Sequence, residues 1–188
     1  MKWKIVTLSI VAFAIIALLL IRFTEPKELK EARANAASFK EDLLDSLRSA
    51  EAVSIVEHPW IYDLTDDAGR VADSFPQFEY LRVSLTVDQV NRLIESIDEM
   101  PPHPKQTFLF CAFEPHHTIE LTRNSGETSY VRVCFSCRAT EWEEGSGTAP
   151  EPFQDVFRAF IEPLGFQASR NWRELATQQA QQGGDGDA

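Results

Sequence analysis

Between Gln106 and Trp142 the chain reads QTFLFCAFEPHHTIELTRNSGETSYVRVCFSCRATEW. No other stretch limits the fold as strongly. Apolar and polar residues alternate on both sides of Asn124-Ser125-Gly126-Glu127, the pattern of strands folded back on each other. Phe108–Phe113, His117–Arg123 and Ser129–Cys137 therefore predict a three-strand antiparallel meander. A two-residue Ser-Gly turn would set His117 opposite Cys134 and Glu120 opposite Val131. A register one residue further on pairs Ile119 with Val133, Leu121 with Val131 and Glu120 with Arg132. It matches like with like on each face and is the preferred expectation.

The same stretch holds all three cysteines and two of the four histidines. Cys111, His116, His117, Cys134 and Cys137 are the candidate site residues, because any close register brings one imidazole near Cys134. In a regular strand, residues three apart lie roughly 10 Å apart. Cys134 and Cys137 can therefore share a metal or a disulfide only if the chain bends at Phe135-Ser136. Three readings remain open. The first is a Cys₃His set for tetrahedral zinc, toward which the neighbouring histidines incline the choice. The second is a disulfide, most plausibly of Cys111 with Cys134 or Cys137, in an oxidising compartment. In the third, the thiols are small buried apolar groups. A nucleophilic arrangement of Cys111 with His117 as base and Glu120 as orienter is weaker, since Glu120 has the wrong strand parity for His117.

Cys-x-Phe-x-Pro-His-His-x-Ile, followed by Val-Cys-Phe-x-Cys, resembles a motif pair in uncharacterised bacterial proteins that are membrane-anchored or secreted. The resemblance spans about residues 109–138. It implies that Cys111, Pro115, His117, Cys134 and Cys137 belong together, and it implies no activity.

Upstream, Ile5 to Ile21 is a run of seventeen residues interrupted only by Thr7 and Ser9. As a helix it would span roughly 26 Å, with Trp3 and Phe23 reaching toward the two interfaces. It exceeds the core of a cleaved signal peptide, and no small-x-small site follows it. Residues 1–25 are thus read as an uncleaved transmembrane signal anchor. Its short N-terminus places the following domain outside the cytoplasm, although Arg22, Lys27, Lys30 and Arg33 pull the other way. The net charge is −11, and residues 1–23 contribute +3 from Lys2, Lys4 and Arg22, leaving −14 for the rest. A body that acidic repels phosphate backbones, which argues against nucleic acid as a partner.

Lys27 to Arg48 has neither Gly nor Pro and carries Ala32, Ala36, Phe39, Leu43 and Leu47 on one stripe. It predicts a helical stalk over 26–49 whose second half docks, with a coiled-coil dimer as the alternative. Ala52–Glu57 and Phe78–Leu85 read as strands, and Tyr62 to Pro76 as loop. Thr86 and Gln89 form a capping box for a helix to Met100 that buries Val87, Val90, Ile94 and Ile97. Glu143 to Pro150 reads as exposed loop. Pro152 opens a helix with Phe153, Val156, Phe157, Phe160 and Ile161 inward, and Trp172 and Leu175 add a docked turn. The Gln, Gly and Asp of 177–188 predict a disordered tail.

The expectation is a single α+β domain over 50–176, with a mainly antiparallel sheet of about five strands covered by two or three helices. P-loop, G-x-S-x-G and H-E-x-x-H patterns are absent, which lowers the standing of common hydrolases and nucleotide enzymes. The leading functional expectation is a single-pass, membrane-anchored accessory or interaction domain with a protein partner or self-association. Its Cys/His cluster would act as a structural zinc or disulfide site. The alternative is an extracytoplasmic metal- or thiol-dependent enzyme.

Overall fold

The computed structural model describes residues 26–65, 78–105 and 111–184. In chain order the elements are α1 (Lys27–Ser49), β1 (Ala52–Glu57), β2 (Leu81–Ser84), α2 (Val87–Asp98), β3 (His117–Thr122), β4 (Thr128–Cys134), β5 (Ala139–Trp142), α3 (Phe153–Ile161) and α4 (Trp172–Gly184), with a 3-10 turn Glu162–Leu164 after α3. The strands form one antiparallel sheet in the order β2-β1-β3-β4-β5. This is the α+β class read from the sequence. The proposed anchor lies outside the described residues, among which no helix is long and apolar enough to cross a membrane.

Strand alternation gives the sheet two unlike faces. Val53 and Ile55 of β1 line up with Leu121 and Ile119 of β3, and these continue to Ser129 and Val131 of β4. This face is buried beneath Phe39, Leu43 and Leu47 of α1, Leu93 and Ile97 of α2, and Phe153, Phe157 and Ile161 of α3. The other face carries Arg82, Ser84, Ser54, Glu120, Tyr130 and Arg132, and on it Arg82 bridges Glu79 and Glu120. Phe39, Leu43, Leu44 and Leu47 in its second half are buried along with Ala36, so α1 docks on the core there, as its stripe predicts.

The helix caps follow the sequence closely. Gln89 N–H donates to Thr86 Oγ1 (3.3 Å) and Thr86 N–H to Gln89 Oε1 (2.8 Å), completing the capping box of α2. The buried face of α2 is rotated from the expected one. Leu93 and Ile97 are fully covered and Val90 and Ile94 partly so, whereas Val87, in the first turn, is 76% exposed. The segment after β5 is less free than its composition suggests. Ser146 N–H donates to Asp42 Oδ2 (2.8 Å), and Gly147 (φ +79°) lies so close to α1 that a Cβ there would meet the Asn35 carbonyl. α4 runs to Gly184, well into the stretch whose composition predicts disorder.

The register of the central hairpin differs from both expected ones. Ile119 pairs with Val131, Glu120 with Tyr130 and His117 with Val133, two positions from the preferred alignment. The cause is the turn. Gly126 N–H closes on the Arg123 carbonyl, and Gly126 itself sits at φ +81°. A three-residue loop ending in a left-handed glycine consumes more chain than the Ser-Gly turn allows for. A two-residue shift keeps every side chain on its face, so the core assignment of β3 and β4 survives. The fifth strand is also different. Among the described residues, 111–116 form no strand, and the sheet is completed instead by Ala139–Trp142, which folds back after Cys134.

Candidate functional site

The bend demanded by the Cys-x-x-Cys spacing is present. β4 ends at Cys134, residues 135–138 turn, and Arg138 takes a left-handed φ of 50° before β5 starts. Cys134 and Cys137 thereby come to 2.9 Å, sulfur to sulfur, both buried. Burial pushes Cys134 up, but donation from the Cys137 thiol, the Ser136 hydroxyl (3.1 Å) and the backbone N–H groups of Cys137 and Glu114 outweighs it. The net effect lowers its pKa. Cys137 is pushed up to about 12, first by burial and then by the sulfurs of Cys134 and Cys111. The pair is thus polarised, with Cys134 the acidic member and Cys137 the proton holder. Cys111 is exposed and stands close enough to Cys137 to affect its titration.

The histidines go elsewhere. His117 points from β3 into the helix-covered face, opposite Glu57 at the end of β1, and both are almost wholly buried. Its Nε2 lies 3.4 Å from Glu57 Oε1 without a well-formed hydrogen bond, while Arg170 Nη2 reaches Glu57 Oε2 at 3.0 Å. Burial lowers the His117 pKa more than Glu57 raises it, so the imidazole is neutral. The ion pair here is therefore Glu57 with Arg170, and the Gln167 N–H also donates to Glu57 (3.3 Å). One residue earlier, His116 Nε2 meets Asp63 Oδ2 at 3.1 Å, and its ring lies flat on Trp172 (4.2 Å between centroids, 6° between planes). Asp63 is fixed in turn by the Trp60 N–H (2.6 Å). Phe135 stands edge-on to the His117 ring at 5.0 Å, between the imidazole and the start of the thiol turn.

The five candidate residues therefore form two groups. The three thiols gather, whereas His116 is hydrogen-bonded to Asp63 and His117 faces Glu57 without a hydrogen bond. A tetrahedral zinc would hold two sulfurs roughly 3.8 Å apart, given bonds of about 2.3 Å. The thiol pair is tighter than that, and no group of three or more His, Cys, Asp or Glu among the described residues is arranged to hold a metal. The nucleophilic arrangement also lacks its orienter, because Glu120 faces the far side of the sheet and accepts from Arg82 (2.6 Å).

Sequence reasoning did not assign Glu57, Asp63, Arg170 or Trp172 to the histidines. A signal did exist: the parity of Val53 and Ile55 places Glu57 on the core side of β1, where a carboxylate requires a partner. His58, by contrast, belongs to the other face. Its Nδ1 donates to the Pro59 carbonyl (2.9 Å), its Nε2 accepts from Thr118 Oγ1 (2.8 Å), and burial lowers its pKa.

Fold and site together define an α+β domain with helices on one sheet face and a polarised dithiol at a strand end. The chain matches no protein-family model, no curated protein and no solved structure.

Proposed function

We propose that this chain is a membrane-anchored accessory domain, held outside the cytoplasm, whose Cys134–Cys137 pair closes to a disulfide. The supporting observation is the bend at 135–138 that brings the two sulfurs to 2.9 Å with opposed acidities. A disulfide bond of about 2.04 Å needs only a small further approach. Closure removes two electrons and two protons, which pass to a disulfide oxidant of the kind an oxidising compartment supplies. The pairing differs from the one favoured by spacing alone, which joined Cys111 to one of the other two. The apolar run Ile5–Ile21 supports the anchor. The acidic body supports a protein partner over a nucleic acid.

Thiol counting on the full chain in detergent tests this reading. After mild oxidation, alkylation and peptide mass analysis, Cys134 and Cys137 are expected in one linked peptide with Cys111 free. Reduction should release all three. Stoichiometric zinc with three protected thiols would replace the disulfide with a metal site. Three freely alkylated thiols after oxidation would remove both.

A further inference from the structure

Beside the Glu57–Arg170 pair lies a cavity of about 350 Å³ between the ends of β3 and β4, α3 and the segment entering α4. Its lining includes Ser136, Arg158, Ser169, Arg170 and Trp172. Arg158 has no ion pair among the described residues. Its guanidinium lies 5.4 Å from the centre of the Phe135 ring, and its Nε is buried with no acceptor. Arg170 Nη2 lies 3.0 Å from Glu57 Oε2 as an ion pair, yet its own buried Nε also lacks an acceptor. So does Nε2 of His117, which lines the same cavity and is 1% exposed. Three of the residues that line this one recess thus carry a buried nitrogen without an acceptor, which is unusual, because buried polar groups are nearly always satisfied. It is more so in a chain of net charge −11, where carboxylate partners are plentiful.

We propose that this cavity binds a small oxyanion, the carboxylate or phosphate group of a soluble ligand, on Arg158 with Ser136, Ser169 and Arg170 supporting it. A guanidinium presents a planar fork of donors matched to such a group. Glu114 is the one carboxylate in the lining. It disfavours a polyanion and selects a ligand with one negative charge on a neutral or cationic body. The Trp172 and Phe135 rings offer that body an apolar wall. Arg158, Ser169 and Arg170 lie outside the thiol turn, and Ser136 is shared with it.

The test titrates the full chain in detergent with benzoate and, separately, with inorganic phosphate, following the arginine Nε–H signals by NMR. Saturable shifts of the Arg158 and Arg170 signals are expected for at least one probe, and Arg158→Met should weaken that binding at least about tenfold. Arg82→Met, on the far face of the sheet, should leave it unchanged. Saturation with benzoate alone identifies a carboxylate ligand, and with phosphate alone a phosphorylated one. Should Arg158→Met fold poorly, Ser169→Ala is the second variant and should weaken binding several-fold. Absence of saturation with both probes, or equal affinity in the folded Arg158→Met and wild-type chains, overturns the proposal.

Discussion

The thiol turn and the imidazole corner stand on either side of Phe135 and are built in opposite ways. The turn is made of four consecutive residues with contacts of its own, Ser136 on Cys134, Cys137 on Cys134 and the Arg138 N–H on the Phe135 carbonyl, while Lys105, Glu151 and Asp155 tie its far end to the body. The imidazole corner draws Glu57, Asp63, His116, His117, Arg170 and Trp172 from segments separated by more than 110 positions. A local turn can change its bonding without disturbing the fold. A corner gathered from distant segments cannot, because each member is held by the others. The difference suits the first to chemistry and the second to holding the sheet end, α4 and its entry segment together.

The sharpest way to break this contrast is Glu57→Ala. Removing the carboxylate leaves Arg170 and His117 without their buried counterpart, a change that costs about 3–5 kcal/mol. Urea unfolding should show a loss of that size; a loss under 1 kcal/mol would mean the corner is not structural. The turn should respond more weakly. Closing the four-residue loop Cys134–Cys137 removes about 2 kcal/mol of chain entropy from the unfolded state. Oxidised and reduced protein should differ by that amount in urea, Cys137→Ser should abolish the difference, and Cys111→Ser should not.

Acid should separate the two regions by affecting one and sparing the other. His117 and His58 are held neutral by burial, with folded-state pKa values below the ordinary 6.5. Below that pH the unfolded chain takes up protons that the folded chain refuses. Stability is therefore complete above about 6.5 and falls as pH drops through it, by up to about 1.4 kcal/mol per unit for each histidine. The disulfide increment should stay constant over the same range, which paired unfolding curves at pH 7.5 and roughly 5.5 would show. The smallest effect belongs to the hairpin. A Cβ at Gly126 would meet nothing within 4 Å, so Gly126→Ala costs only the left-handed backbone penalty, about 1 kcal/mol. It should move neither the thiol chemistry nor the acid response.

These two kinds of construction also decide what was legible in the residues. Cys134-Phe-Ser-Cys137 announced that it would need a bend, because strand geometry forbids the contact otherwise, and the bend is there. The capping box at Thr86 and the inward stripe of α1 were readable for the same reason: each is a statement about neighbours within a turn or two. The hairpin register was missed by two positions because it depends on the φ of one glycine, which alternation does not encode. The imidazoles were expected at the thiols from the hairpin register, and His117 does pair with Val133, one position from Cys134. Parity sends His117 to the core face, toward Glu57, and Asp63 waits for His116 some fifty residues earlier in the chain. The docking of Trp172 was readable but its partner His116 was not, and Arg170 was out of reach because only packing brings it to the sheet end.

The docking of α1 bears on how far such a body can stray from a lipid surface. Ala36 is the first residue of α1 sunk into the core, and the helix runs back from it to Lys27 without a break. Nine residues of helix amount to about 14 Å. From Lys27 onward, then, the chain leaves the core as a rigid strut and not as a slack leash. Whatever the residues before Lys27 are attached to is thereby kept off the core by at least that length.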